Sequence, residues 1–167
     1  MIQQSKILLI FGVLNWLACS ESPEPLSQSP SSEFSLEYVM KVMGTVDRSQ
    51  PLPMVVVLHG LGDRPDSFIN LFSALRGPAR VVAVQGLAPW GKGFTWFPTM
   101  LTKQGTPENI NLDFEEASQK LALTLTYLTK KYPTLKAPIV TGYSQGGAMS
   151  FMMATQYPET ISLALAL

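Results

Sequence analysis

One five-residue turn constrains this chain more than any other feature: Gly142-Tyr143-Ser144-Gln145-Gly146, between an apolar strand, Pro138-Ile139-Val140-Thr141, and a helix expected over Ala148 to Tyr157. A serine on so abrupt a strand-to-helix turn is held in a strained backbone, and its Oγ then stands clear of the sheet. Strand and helix approach too closely there for side chains, which accounts for Gly142 and Gly146, and Gly147 adds room where the helix packs back. Ser144 falls at the helix N-terminus, where unpaired N–H groups and the helix dipole favour negative charge. Ser144 is therefore the candidate nucleophile, and the N–H of Gln145 a candidate donor to an oxyanion.

The surrounding pattern alternates strand and helix. Leu36 to Met43 reads as a first strand suited to a sheet edge, and the apolar run Leu52 to Leu58 as a central parallel strand buried on both faces. Pro65 opens a helix with Phe68, Leu71, Phe72 and Leu75 on one face, closed by Gly77-Pro78. Arg80 to Val84 is the next strand, and Gln85 to about Asn111 a long loop rich in Gly, Pro and aromatics. Asp113 and Glu116 form a capping box for a helix whose apolar face is Phe114, Ala117, Leu121, Leu125, Leu128 and Tyr132, stopped by Pro133. Ile161 to Leu167 reads as one more core strand. Repeated β-α-β units of this kind predict an α/β fold, a mostly parallel, doubly wound sheet with helices on both faces.

A second element agrees with the Ser144 turn. Leu58-His59-Gly60-Leu61-Gly62-Asp63 ends the central strand, and the backbone N–H of Leu61 is the candidate for a second oxyanion donor. His59 is the sole histidine, but it precedes the serine, whereas in this arrangement the acid and the histidine follow it. Its expected role is to order the loop through a side-chain hydrogen bond. One histidine and one cysteine leave no internal disulfide and no His-rich or Cys-cluster metal site, so neither a metal nor a cofactor is implied. With 12 basic and 12 acidic residues and no block of like charge, the chain shows no surface for tracking nucleic acid.

Taken in order, Leu58-His59-Gly60-Leu61-Gly62-Asp63, Trp96-Phe97 and Gly142-Tyr143-Ser144-Gln145-Gly146-Gly147 resemble the phospholipase/carboxylesterase family, which includes the acyl-protein thioesterases. The resemblance runs from about Pro53 onward and implies an α/β-hydrolase fold. It also implies hydrolysis of a small-molecule carboxylic ester or thioester through an acyl-enzyme on Ser144, with Leu61 and Gln145 as oxyanion donors. Trp90, Phe94, Trp96, Phe97 and Met100 either line an acyl-binding slot or pack the long loop onto the sheet. Other readings stay open: a dienelactone-hydrolase-like or peptidase-like serine hydrolase, or a non-catalytic exported lipoprotein that reuses the fold.

Both ends of the chain carry expectations of their own. Lys6 followed by Ile7 to Val13, continuing to Ala18, reads as an export signal over residues 1–18, too short to span a bilayer at about 20 apolar residues. Leu17-Ala18-Cys19-Ser20 fits lipidation of Cys19 and membrane anchoring outside the cytoplasm, and cleavage after Ser20 fits simple secretion. Residues 19–33, rich in Ser and Pro, read as a tether to a domain over 34–167. After Ser144 come no aspartate and no histidine, and Glu159 is the only acidic residue. The expectation is an α/β-hydrolase domain incomplete at its C-terminus, poorly active and prone to aggregate.

Overall fold

The computed structural model describes residues 35–167. The expected export signal over 1–18, the Cys19 lipidation site and the tether over 19–33 lie outside the described residues.

Five strands make the main sheet: β1 (Tyr38–Met43), β2 (Met54–Leu58), β3 (Ala79–Val84), β6 (Ile139–Gly142) and β7 (Leu163–Ala166), in the spatial order β1-β3-β2-β6-β7. β1 runs antiparallel to β3 at one edge, and the other pairings are parallel. The β-branched run of β2 sits at the centre, paired on both sides, as its unbroken hydrophobicity requires.

Alternation along the strands sends side chains to two cores. Tyr38, Met40, Met54, Val56, Leu58, Val82 and Val84 face α2 (Pro107–Lys131) and α3 (Gln145–Gln156), meeting Ala117, Leu121, Leu125, Leu128, Met149 and Met153. Val39, Met43, Val57, Val81 and Ala83 face Phe68 and Ile69, from α1 (Pro65–Phe68) and the 3₁₀ turn Ile69–Phe72 that follows it. Helices therefore cover both faces, as in a doubly wound sheet.

Several local expectations need correction. The element after Pro65 is only a helical turn followed by a 3₁₀ turn, so Ile69 takes the buried place while Leu71 and Leu75 face solvent. The long loop holds a two-stranded hairpin, β4 (Ala88–Trp90) with β5 (Gly93–Thr95), then a 3₁₀ turn at Thr99–Leu101. α2 starts at Pro107, capped by Thr106, whose side chain accepts from the Asn109 N–H. Asp113 is thus no cap: it is buried inside the helix and accepts from the N–H and hydroxyl of Thr99, at 2.6 and 2.8 Å. α3 opens at Gln145, directly after the serine, and not at Ala148. β7 is shorter than expected, without Ile161, and Leu163 and Leu165 are 49% and 47% exposed along it.

Candidate active site

The sheet topology creates a crevice before any side chain is considered. From β2 the chain moves outward to β3, then returns through α2 to β6 on the other side of β2. The loops leaving β2 and β6 therefore diverge at the carboxyl ends of adjacent parallel strands, the switch point at which open α/β sheets bind ligands. Those loops are His59 to Asp63 and Tyr143 to Gln145. Two concavities, about 500 Å³ beside Lys41, Arg48 and Ser73 and about 350 Å³ beside Thr134, Lys136 and Thr160, lie at the other end of the strands.

Ser144 has φ 54° and ψ −114°, the one positive φ of a non-glycine residue among the described residues. Such a backbone costs on the order of 1–3 kcal/mol and persists only where its surroundings hold it. Here they do. The Tyr143 N–H donates to Leu58 O at 3.1 Å, the Ser144 N–H to Leu167 O at 2.9 Å, and the Gly146 N–H to Tyr143 O at 2.9 Å. Leu167 in turn donates to Gly142 O at 2.9 Å, so the end of β7 braces the turn, a contact no sequence pattern announces.

The glycines are tight for the expected reason. A Cβ on Gly146 would overlap the backbone of Leu58 and come 2.8 Å from His59 O. One on Gly142 would fall 2.9 Å from Gly146 Cα, and one on Gly147 2.9 Å from Leu167 O. A Cβ on Gly60 would sit 3.6 Å from Ser144 Cβ, which sets the loop after β2 directly beside the serine. Ser144 is exposed, and among the described residues neither the Gln145 N–H that follows it nor the Leu61 N–H of the neighbouring loop donates to a protein acceptor.

His59 is fully buried, its ring 5.5 Å from that of Trp96, centroid to centroid. Its Nδ1 lies 2.7 Å from Gly60 O, and its Nε2 accepts the Gly86 N–H at 3.1 Å. A carbonyl only accepts and an amide N–H only donates, so the ring is the neutral tautomer protonated on Nδ1. Burial pushes its pKa below the ordinary value, and the Gly60 carbonyl and Asp63 oppose that shift. With both nitrogens occupied, His59 orders the loop, as the sequence order implied.

The aromatic residues of the long loop divide. Trp96 and Phe97 are core, at 0% and 1% exposure, which accords with the second of the two readings, packing of the loop onto the sheet. The Trp96 indole donates to His59 O at 2.9 Å, and Phe97 stacks on Phe114 at 4.0 Å. Both belong to the core cluster that the sheet shares with α2 and α3. Trp90 stays at the surface beside the loop, where a Cβ on Gly62 would lie 3.7 Å from its ring. Phe94 is half-buried and Met100 exposed. Tyr143, which no sequence argument singled out, is exposed next to Ser144.

Comparison with known proteins accords with this geometry. No curated protein matches the chain. Among solved structures, the Mesorhizobium loti carboxylesterase is similar with a TM-score of 0.64 and 21% identity, over 87% of this chain and 64% of its own. The Bacillus cereus carboxylesterase is similar with a TM-score of 0.57 and 21% identity, over 75% of this chain and 57% of its own. For the esterase PE8 the TM-score is 0.55 at 24% identity, over 66% of this chain and 54% of its own. The chain therefore spans less than two thirds of the length of each, and at these identities the likeness is one of fold. Residues 45–167 match the Phospholipase/Carboxylesterase family, and the chain belongs to that family of α/β-hydrolases.

Proposed function

We propose that this chain supplies the nucleophile and oxyanion hole of a serine hydrolase acting on small-molecule carboxylic esters or thioesters. The observation that carries the reading is the strained φ of Ser144, held at the mouth of α3 with the free N–H groups of Leu61 and Gln145 beside it. Family membership supports ester hydrolysis. In the reaction, Ser144 Oγ bonds to the acyl carbon as the carbonyl π electrons move onto oxygen, where the two N–H groups stabilise the charge. Collapse expels the alkoxide or thiolate, which takes up a proton, and water then releases the acid and restores the serine. We extend the proposal to location: the first 18 residues direct export, and Cys19 carries the lipid anchor.

The serine proton needs an acceptor. This sequence has a single histidine, and both its ring nitrogens are occupied away from Ser144. In the 167-residue chain the proton therefore goes to solvent, and acceleration falls to about 10³–10⁴ over water, the contribution of oxyanion hole and binding alone. Prolonged incubation with a fluorophosphonate should label Ser144 slowly, with the site located by peptide mass spectrometry and lost in Ser144→Ala. Label spread over surface serines would overturn the nucleophile assignment. Labelling within seconds would overturn the missing-base argument.

A further inference from the structure

The segment Gly93 to Phe97 is attached both to the loop after β2 and to the start of α3. Its Phe94 pairs with the loop after β2: the Gly62 N–H donates to Phe94 O at 2.8 Å and the Phe94 N–H to Asp63 O at 3.0 Å. Its Trp96 indole holds the His59 carbonyl at 2.9 Å. Its third attachment is to α3, where Gln145 Oε1 accepts the Thr95 hydroxyl and the Trp96 N–H, each at 3.1 Å.

The direction of these bonds is determined by chemistry. The Phe97 N–H donates to Thr95 Oγ1 at 3.2 Å, so the Thr95 hydroxyl proton is turned toward Gln145. The Trp96 N–H demands an acceptor, so the amide of Gln145 must present its oxygen and not its nitrogen. Thr95 and Trp96 are buried, where such bonds are costly to lose. Gln145 is also the first residue of α3, and its own N–H is one of the two free donors beside Ser144.

From this geometry we infer that the Gln145 side chain is a positioning group, which sets the spacing of the oxyanion donors by tying α3 to the strap that carries the Leu61 loop. The strap is one piece of backbone, anchored at one end to Gly62 and Asp63 and at the other to Gln145. Donor geometry then does not depend on two separately mobile loops. This inference rests on the proposed roles of Ser144, Leu61 and Gln145, and the side-chain role is distinct from the backbone N–H of the same residue.

The test uses the full chain with Cys19→Ser, to remove the other thiol, and Ser144→Cys. A thiol ionises without a histidine at a pKa of about 8.5, so the missing base does not hide the oxyanion hole. Two probes are compared. With p-nitrophenyl acetate, thiolate sulfur bonds to the acetyl carbon, negative charge develops on the carbonyl oxygen, and p-nitrophenolate leaves. With iodoacetamide the same sulfur displaces iodide, and no oxyanion forms.

Adding Gln145→Met keeps the chain length and the backbone N–H but removes the acceptor. Acylation should fall about 10- to 100-fold while alkylation stays within about twofold. Thr95→Val should give an intermediate loss, and Thr95→Ser, which retains the hydroxyl, should restore the rate. Equal loss of both reactions, or of neither, overturns the positioning role. Should the Ser144→Cys thiol acylate no faster than a peptide thiol of equal pKa, before Gln145 is touched, the oxyanion-hole reading itself fails, and the inference with it.

Discussion

At the scale of single residues, the site is held by groups that do no chemistry. Ser144 keeps its unusual backbone because Leu58, Leu167 and Tyr143 take its neighbouring hydrogen bonds, and Gly146 allows Leu58 to come within reach. His59 shows how burial leaves a measurable trace. Its folded pKa lies below the ordinary value near 6.5, so the unfolded chain binds its proton more readily than the folded one. The stabilisation from neutral, buried His59 is fully present above pH 6.5 and is lost as pH falls through the folded pKa. Chemical denaturation from pH 7.5 downward should therefore show stability declining below about 6.5, with a His59 contribution approaching about 1.4 kcal/mol per pH unit. His59→Gln should remove that part of the slope. An unchanged slope would mean that the ring takes up its proton as readily in the fold as in the unfolded chain, against its burial and its bond from the Gly86 N–H.

At the scale of elements, the long helix shows where sequence patterns mislead. Asp113 and Glu116 have the spacing of a capping box, yet the helix is capped seven residues earlier because Thr106-Pro107 also starts one and the two extra turns continue the same axis. Asp113 is then free for a tertiary task, fastening the Thr99 turn to the helix through two short bonds. The two residues should differ in mutation. Thr106→Ala removes an exposed cap with a long 3.4 Å bond, at a cost near the low end of the usual range, about 0.5 kcal/mol. Asp113→Ala strips the part-buried N–H and hydroxyl of Thr99 of their acceptor and should cost about 1–3 kcal/mol. Denaturant titration of both variants checks the order, and a loss at Asp113 no larger than that at Thr106 would overturn the tertiary role given to Asp113. The short α1 has the opposite history: its apolar spacing continues to Leu75, but the chain turns into a 3₁₀ segment and leaves Leu71 and Leu75 exposed.

At the scale of the molecule, the two sheet edges are unequal. β1 is antiparallel and mostly buried, with Tyr38, Val39, Met40 and Met43 packed into the two cores. β7 pairs only with β6 among the described residues, and Leu163, Leu165 and Leu167 are exposed along it. An apolar strand edge of this kind is a template for pairing with another chain. The 167-residue chain should therefore self-associate in a concentration-dependent way, and Leu163→Lys with Leu165→Lys should shift it toward monomer by size-exclusion chromatography with light scattering. An unmodified chain that stays monomeric would show that this edge is already protected.

The sequence by itself determined the alternation of strand and helix, the buried central strand, the glycine-framed turn at Ser144 and the family. These signals are local: each depends on residues a few positions apart, whose size and backbone freedom admit few conformations. Only the tertiary structure decided that Trp96 and Phe97 are core, that Asp113 holds a turn, and that Gln145 is tied to Thr95 and Trp96. Those outcomes depend on partners 14 to 50 residues away in sequence, and no periodicity encodes such a meeting. The crevice itself belongs to this second group. It exists because β3 and β6 lie on opposite sides of β2, a choice made by the crossover through α2 and the cores on the two faces of the sheet.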